Sequence, residues 1–331
     1  MRGHELLRLQ NLRVGFTSEG TTHEVLHGLD LTVHRGEAIG LVGESGSGKS
    51  VAALSVLQLL GRNGMITGGE ILFDDIDLAK LPLHEIRRLR GKEISMIFQD
   101  PSTALNPAFT VGTQMRDVIK AHRELVGPQI DREAMEVLER VGFADPRRVM
   151  CSYSHELSGG MRQRAMIAMA VACKPRLVLA DEPTTALDVT VQAQIVELLR
   201  GLVKEMNLAL VFITHNLDLM AELCDRAVVL YQGRVMESGN TVSLFERPAH
   251  PYTQLLFDSI PRLEQAQEPP GARKSSKGGP GWQQAGGTTS AGCPFAPRCL
   301  RADNRCRESL PQLVSTGRTD AACWHAMQQS S

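Results

Sequence analysis

The run GESGSGKS, Gly43 to Ser50, constrains this chain more than any other feature. It fits the pattern G-x-x-x-x-G-K-[ST] and stands between a stretch read as a strand, EAIGLVG (37–43), and one read as a helix, VAALSVLQLL (51–60). Strand, loop and helix in that order make an anion cradle. Glycines let successive backbone N–H groups turn inward, and the helix aims its positive end at the phosphates. Gly43, Ser45, Gly46, Ser47 and Gly48 are the expected cradle, Lys49 the expected partner of the β- and γ-phosphates, and Ser50 the expected Mg²⁺ ligand. A fortuitous glycine-rich turn has no need of the lysine, the serine and both flanking elements together.

The remaining pattern places this loop in an α/β protein. LLRLQNLRVGF (6–16) and VLHGLDLTVH (25–34) alternate as strands do, separated by the turn-rich TSEGTTHE. GEILFDDIDL (69–78) and EISMIFQ (93–99) suggest a further strand pair, and the pattern turns helical from about 111 to 173. Strand patterns return in RLVLAD (176–181), ALVFITH (209–215) and AVVLYQGRVMESG (227–239), with a helical VTVQAQIVELLRGLVKEM (189–206) between the first two. Alternating strands and helices predict a parallel sheet, with the helical block at 101–175 as an inserted subdomain. LVLADE (177–182) ends in two carboxylates. Asp181 is expected at the carboxyl end of the sheet, where it would hold Mg²⁺ through water, and Glu182 is the candidate base that orients and polarises the attacking water. As an isolated pair they would read equally well as solvated acids capping a buried strand; the phosphate loop favours the catalytic reading.

A chain of 331 residues suits one large domain with an appendage, and 42% hydrophobic against 22% charged residues leaves ample apolar surface for a core. A formal net charge of -1 provides no basic field for phosphate backbones, so no nucleic-acid partner is expected. No apolar run reaches the roughly 18 residues a membrane span needs, and MRGHELLRLQ lacks the apolar core of a secretory signal. The expectation is a cytoplasmic chain that reaches a membrane only by docking on partners. In such a reducing compartment the seven cysteines point to metal binding rather than disulfides.

LSGGMRQR (157–164) adds a second anion-binding helix start, Ser158, Gly159 and Gly160, more than a hundred residues beyond the first. One chain has no obvious use for two such sites facing one nucleotide. Here the sequence resembles the ATP-binding cassette family, whose signature motif reads the γ-phosphate of ATP held by the opposing subunit. The resemblance implies a P-loop NTPase fold: a RecA-like core, an antiparallel β subdomain and an inserted helical subdomain. It further implies that Gln99 is the glutamine that contacts Mg²⁺ and the attacking water. By the same resemblance Asp188, in TALD (185–188), faces the other subunit, and His215 hydrogen-bonds the γ-phosphate. Phe16 matches the aromatic that stacks on adenine, with a place in the core as the alternative.

Beyond the nucleotide motifs the chain resembles the dipeptide and oligopeptide permease branch: IFQDPSTALNP (97–107), ADEPTTALDVTVQAQI (180–195), RPAHPYTQLL (247–256) and a tail C-P-F-A-P-R-C…C…C-W-H. This implies an ATP-hydrolysing importer subunit on the cytoplasmic face of the inner membrane. Its partners would be a related but different second ATPase, two transmembrane permease subunits and an extracytoplasmic solute-binding protein. The alternatives are an importer of nickel, haem or glycosides in the same branch, and a soluble ATP-binding cassette protein. The expected organisation is a nucleotide-binding domain over 1–262, a Gly/Pro/Ser-rich linker over 263–292 and a tail over 293–331. In the tail, Cys293, Cys299, Cys306 and Cys323 are spaced by five, six and sixteen residues. That spacing matches neither zinc ribbons nor ferredoxin runs. Similar tails in this branch are associated with a [4Fe–4S] cluster, with zinc and then free or regulatory thiols as the alternatives, and His325 reads as a surface residue or a spare ligand.

Overall fold

The computed structural model describes residues 4–259 and 291–326. Strands β1 (Glu5–Ser18) and β2 (Thr21–His34) form a long antiparallel hairpin that closes with Ser18 opposite Thr21. Only Glu19 (φ 52°) and Gly20 (φ 81°) make the turn, both left-handed as a type I′ hairpin requires. The turn expected over 17–24 is therefore mostly paired strand. After β3 (Ala38–Val42) and α1 (Lys49–Val56), β4 (Gly64–Phe73) returns to pair with β1, and β5 (Ile76–Asp77) completes a sheet of order β2-β1-β4-β5. Helix α2 (Leu83–Leu89) leads to β6 (Ile94–Ile97), which joins the other sheet beside β7 (Leu177–Asp181). The strand pair expected from 69–78 and 93–99 is thus two strands of different sheets. Their burial explains the parting: β4 alternates between more and less buried positions, whereas β6 is buried throughout, as suits a sheet covered on both faces.

Between β6 and β7 run α3 (Pro101–Ala104), α4 (Val111–His122), α5 (Gly127–Arg140), α6 (Pro146–Cys151) and α7 (Gly159–Val171). Then follow α8 (Val189–Met206), β8 (Ala209–Thr214), α9 (Leu217–Leu223), β9 (Arg226–Tyr231), β10 (Arg234–Asn240), α10 (Thr241–Glu246) and α11 (Pro251–Asp258). The single β pattern at 227–239 is a second tight hairpin, turned by Gln232 (φ 44°) and Gly233 (φ 72°). The linker expected over 263–292 lies outside the described residues except at 291 and 292.

The main sheet has the order β11-β12-β10-β9-β3-β8-β7-β6, where β11 (Val314–Ser315) and β12 (Thr319–Ala321) come from the tail. Strands β9, β3, β8, β7 and β6 are parallel. Each inner strand divides its residues between two cores. Ile39, Leu41, Leu177, Leu179, Val211 and Ile213 face the antiparallel sheet and α1, while Ala38, Val42, Val178, Ala180, Leu210 and Phe212 face the helices. Cys293, Phe295, Ala296 and Cys306 of the tail enter the helical-side core, while Ala321 and Ala326 form a small cluster with Ala249. No helix among the described residues is long and apolar enough to cross a membrane.

Candidate active site

Register brings the site together. Val42 lies beside Thr214 and Asp181 beside Ile213, so β3, β8 and β7 end level with one another at their carboxyl edge. The phosphate loop, the Asp181-Glu182 pair and His215 all leave the sheet from that edge, the usual place for ligands in a parallel sheet. Three loop glycines adopt positive φ: Gly43 (153°), Gly46 (79°) and Gly48 (101°). A side chain at Gly43 would bring its Cβ to 2.1 Å from the Leu230 carbonyl oxygen, so the loop passes too close to β9 for any other residue.

Lys49 opens α1 and is buried; its Nζ donates to the carbonyls of Gly43 (2.9 Å) and Glu44 (3.0 Å). Burial lowers its pKa, against the opposing charges of Glu182, Asp181 and Glu44. Ser50 Oγ donates to Asp181 Oδ1 at 2.9 Å. Burial raises the pKa of Asp181, an effect the Ser50 hydrogen bond opposes. A hydroxyl and a partly desolvated carboxylate, side by side at the start of α1, form an oxygen donor set that suits Mg²⁺.

Glu182 holds a left-handed backbone (φ 45°) and anchors its N–H on the Ile213 carbonyl. Its Oε2 collects three neighbours: Gln99 Nε2 at 3.2 Å, Thr185 Oγ1 at 2.9 Å and His215 Nδ1 at 3.3 Å. Gln99 is two residues beyond the end of β6 rather than its last residue, and that extension lets it reach β7's carboxylate. The open cleft over these groups is lined by Ser45, Gly46, Gly48, Lys49, Ser50, Gln99, Glu182 and His215, together with Val25 and Val51. Thr185 and Val25 carried no motif of their own. Thr185 could have been suspected only as the first residue of TALD.

The other expected residues lie elsewhere. Ser158, the N-cap of α7, accepts from the Met161 N–H, and neither it nor Gly159 or Gly160 lines the cleft. A Cβ at Gly160 would meet Val191 at 2.9 Å and one at Gly159 would meet Leu187 at 3.6 Å, so this turn packs on the segment that holds Asp188. Asp188 caps α8 by accepting from the Val191 N–H. Ser158 and Asp188 are exposed, and Val189, the first residue of α8, is 82% exposed. Phe16 does not line the cleft: it pairs with Gly64 across β1 and β4, where a Cβ on Gly64 would meet its ring at 2.8 Å.

In the tail, Cys293, Cys299, Cys306 and Cys323 line one small cavity together with His250, His325 and Trp324. Burial raises the pKa of the Cys293 thiol to about 11 and pushes those of Cys306 and Cys323 upward. Among the described residues, three ligand atoms approach within 4.8 Å of one another, those of Asp303, Cys306 and His325, so Cys306 alone of the four cysteines takes part. Four thiolates around a single zinc ion would stand about 3.8 Å apart, given Zn–S bonds of about 2.3 Å in a tetrahedron.

The family model described as "ABC transporter" matches residues 26–185, and that described as "Oligopeptide/dipeptide transporter, C-terminal region" matches 236–306. The dipeptide transport ATP-binding protein DppD of Escherichia coli (strain K12) is 44% identical over 308 residues, 93% of this chain and 92% of that protein. The oligopeptide transport ATP-binding protein OppD of the same organism is 41% identical over 332 residues, 98% of this chain and 94% of that protein. Among solved structures, the dimeric structure of a post-hydrolysis state of the ATP-binding cassette MJ0796 bound to ADP and Pi superposes with a TM-score of 0.64. It is 27% identical and covers 71% of this chain and 99% of that one.

Proposed function

This chain belongs to the ABC transporter ATPases that carry the oligopeptide/dipeptide transporter C-terminal region, and we propose that it drives the import of dipeptides or oligopeptides by hydrolysing ATP. The observation that carries the mechanism is the convergence on Glu182 Oε2 of Gln99, Thr185 and His215, beside the Ser50–Asp181 pair and Lys49. The backbone N–H groups of Gly43–Ser50 and the Lys49 ammonium hold the β- and γ-phosphates. Ser50, Asp181 and Gln99 would hold Mg²⁺, which neutralises charge developing on the phosphate oxygens. Glu182 accepts a hydrogen bond from the attacking water and draws off its proton, with Gln99 and His215 fixing the water and the γ-phosphate. The apolar side chains at the cleft are Val25 and Val51, and Phe16 is not among its lining residues.

Ser158, Gly159, Gly160 and Asp188 serve a nucleotide on a second ATPase subunit. The exposure of Ser158 and Asp188, and the packing of Gly159 and Gly160 against the segment of Asp188 away from the cleft, support that reading. So does the dimer of MJ0796. The second ATPase is related but different, and the pair works beneath two membrane-spanning permease subunits supplied by an extracytoplasmic binding protein. Membrane vesicles holding the assembled importer should take up peptide only with ATP. Glu182→Gln should lower both uptake and hydrolysis by about 10² or more; undiminished turnover in that variant removes Glu182 from the role of base.

For the four tail cysteines we propose a [4Fe–4S] cluster, a reading supported by their lining one cavity together. The anaerobically purified chain should show the broad brown absorption of iron–sulfur centres with four irons per chain. Stoichiometric zinc and a colourless protein would reverse the assignment.

A further inference from the structure

The tail reaches the phosphate loop. Cys293 and Cys299 bracket a short 3-10 turn, Ala296–Arg298, pinned at its start by the Cys293 N–H bond to the Cys306 carbonyl (2.8 Å). From this turn Arg298 extends a two-pronged contact to Glu44, with Nη1 to Oε2 and Nη2 to Oε1 both at 2.8 Å. Its Nη1 also lies 3.2 Å from the Tyr231 hydroxyl. Glu44 is the first residue after Gly43 in the loop, and it is held at two more points. Its N–H donates to the Tyr252 hydroxyl (2.9 Å), and its carbonyl accepts from Lys49 Nζ (3.0 Å).

The support beneath this contact is rigid. Tyr252, Tyr231 and Phe295 are buried, their ring centroids 4.6 to 5.5 Å apart, and Phe295 sits on the same turn as Arg298. One peptide of the loop, Glu44, therefore carries the tail on its side chain and the catalytic lysine on its carbonyl. A bidentate guanidinium–carboxylate pair fixes direction as well as distance, which a lysine in its place could not do.

We propose that Arg298 is a positioning residue for the phosphate loop: by holding Glu44 it fixes the carbonyl that orients Lys49, making the cysteine-bearing tail part of the nucleotide site. This rests on the assignment of Gly43–Ser50 to ATP.

The test is equilibrium binding of a non-hydrolysable ATP analogue to the full-length chain, with hydrolysis by the assembled importer measured alongside. Arg298→Ala and Glu44→Gln should each weaken binding about tenfold and raise KM similarly, with kcat within about threefold of the natural chain. Arg298→Lys should fall between, and it serves as the readout if Arg298→Ala does not fold. The charge-exchanged pair Glu44→Arg with Arg298→Glu should bind more tightly than either single exchange. Affinity unchanged in Arg298→Ala or Arg298→Lys, or an exchanged pair as weak as its single variants, overturns the proposal. Lys49→Ala separates the two readings: binding retained in that variant refutes the ATP assignment itself, whereas binding lost there and unchanged in Arg298→Ala refutes only the role of Arg298.

Discussion

Three side chains meet on one carboxylate oxygen of Glu182, the proposed base, and its strained backbone shows how the position is enforced. A left-handed non-glycine residue costs about 1–3 kcal/mol and persists where the surroundings demand it. Here the Ile213 carbonyl and three side chains do so. In Glu182→Gln the loss of the base should leave nucleotide binding intact, so ATP should stay bound to the closed assembly while turnover stops. Retention of radiolabelled ATP through gel filtration reads that outcome; a variant that releases nucleotide as fast as the natural chain contradicts it. The acid pair was legible in the sequence because a buried strand ending in Asp-Glu is a local pattern. Thr185 was not, since its approach to Glu182 depends on how the following turn closes. Phe16 shows the same limit: the pairing of β1 with β4 sets it against Gly64, and no alternation of residue types carries that register.

Among the elements, buried strands were the most legible. AIGLV, LVLAD and ALVFIT are buried throughout and apolar except for the terminal Asp181 and Thr214, because helices and a second sheet cover both faces. Tight hairpins were less so: the turns at Glu19-Gly20 and Gln232-Gly233 use two residues each, so polar residues beside the first read as loop although they pair, and the second read as one continuous strand. The tail's attachment was hidden altogether. Glu237 in β10 is fully buried, and its carboxylate accepts from the N–H groups of Ala249 (2.8 Å) and His250 (2.9 Å) and from the Thr319 hydroxyl (2.7 Å). One acid thus joins β10, the start of α11 and β12. Glu237→Ala leaves three buried donors without an acceptor and should destabilise the chain by at least about 3 kcal/mol. It should also free the tail to proteolysis ahead of global unfolding. Urea unfolding followed by intrinsic fluorescence, with limited trypsin digestion beside it, measures both effects. A midpoint equal to that of the natural chain and an uncut tail would show that Glu237 is not the fastener.

At the scale of the whole molecule, the two anion-binding helix starts do not share a cleft. Gly43–Ser50 opens onto Gln99, Glu182 and His215, whereas Ser158–Gly160 packs beside Asp188 on another exposed face. The sequence separated them by more than a hundred residues, and the fold keeps them apart, as the proposed division of each site between two subunits requires. That division is the central claim, and Ser158→Arg tests it most directly when binding and turnover are measured together. A large cation at the start of α7 blocks contact with a partner's nucleotide without touching this chain's own cleft. Nucleotide affinity of the full-length chain should stay within about twofold of the natural value, while hydrolysis by the assembled importer falls about tenfold or more. Hydrolysis that survives the substitution, or nucleotide affinity of the single chain that falls with it, would contradict a site divided between two subunits.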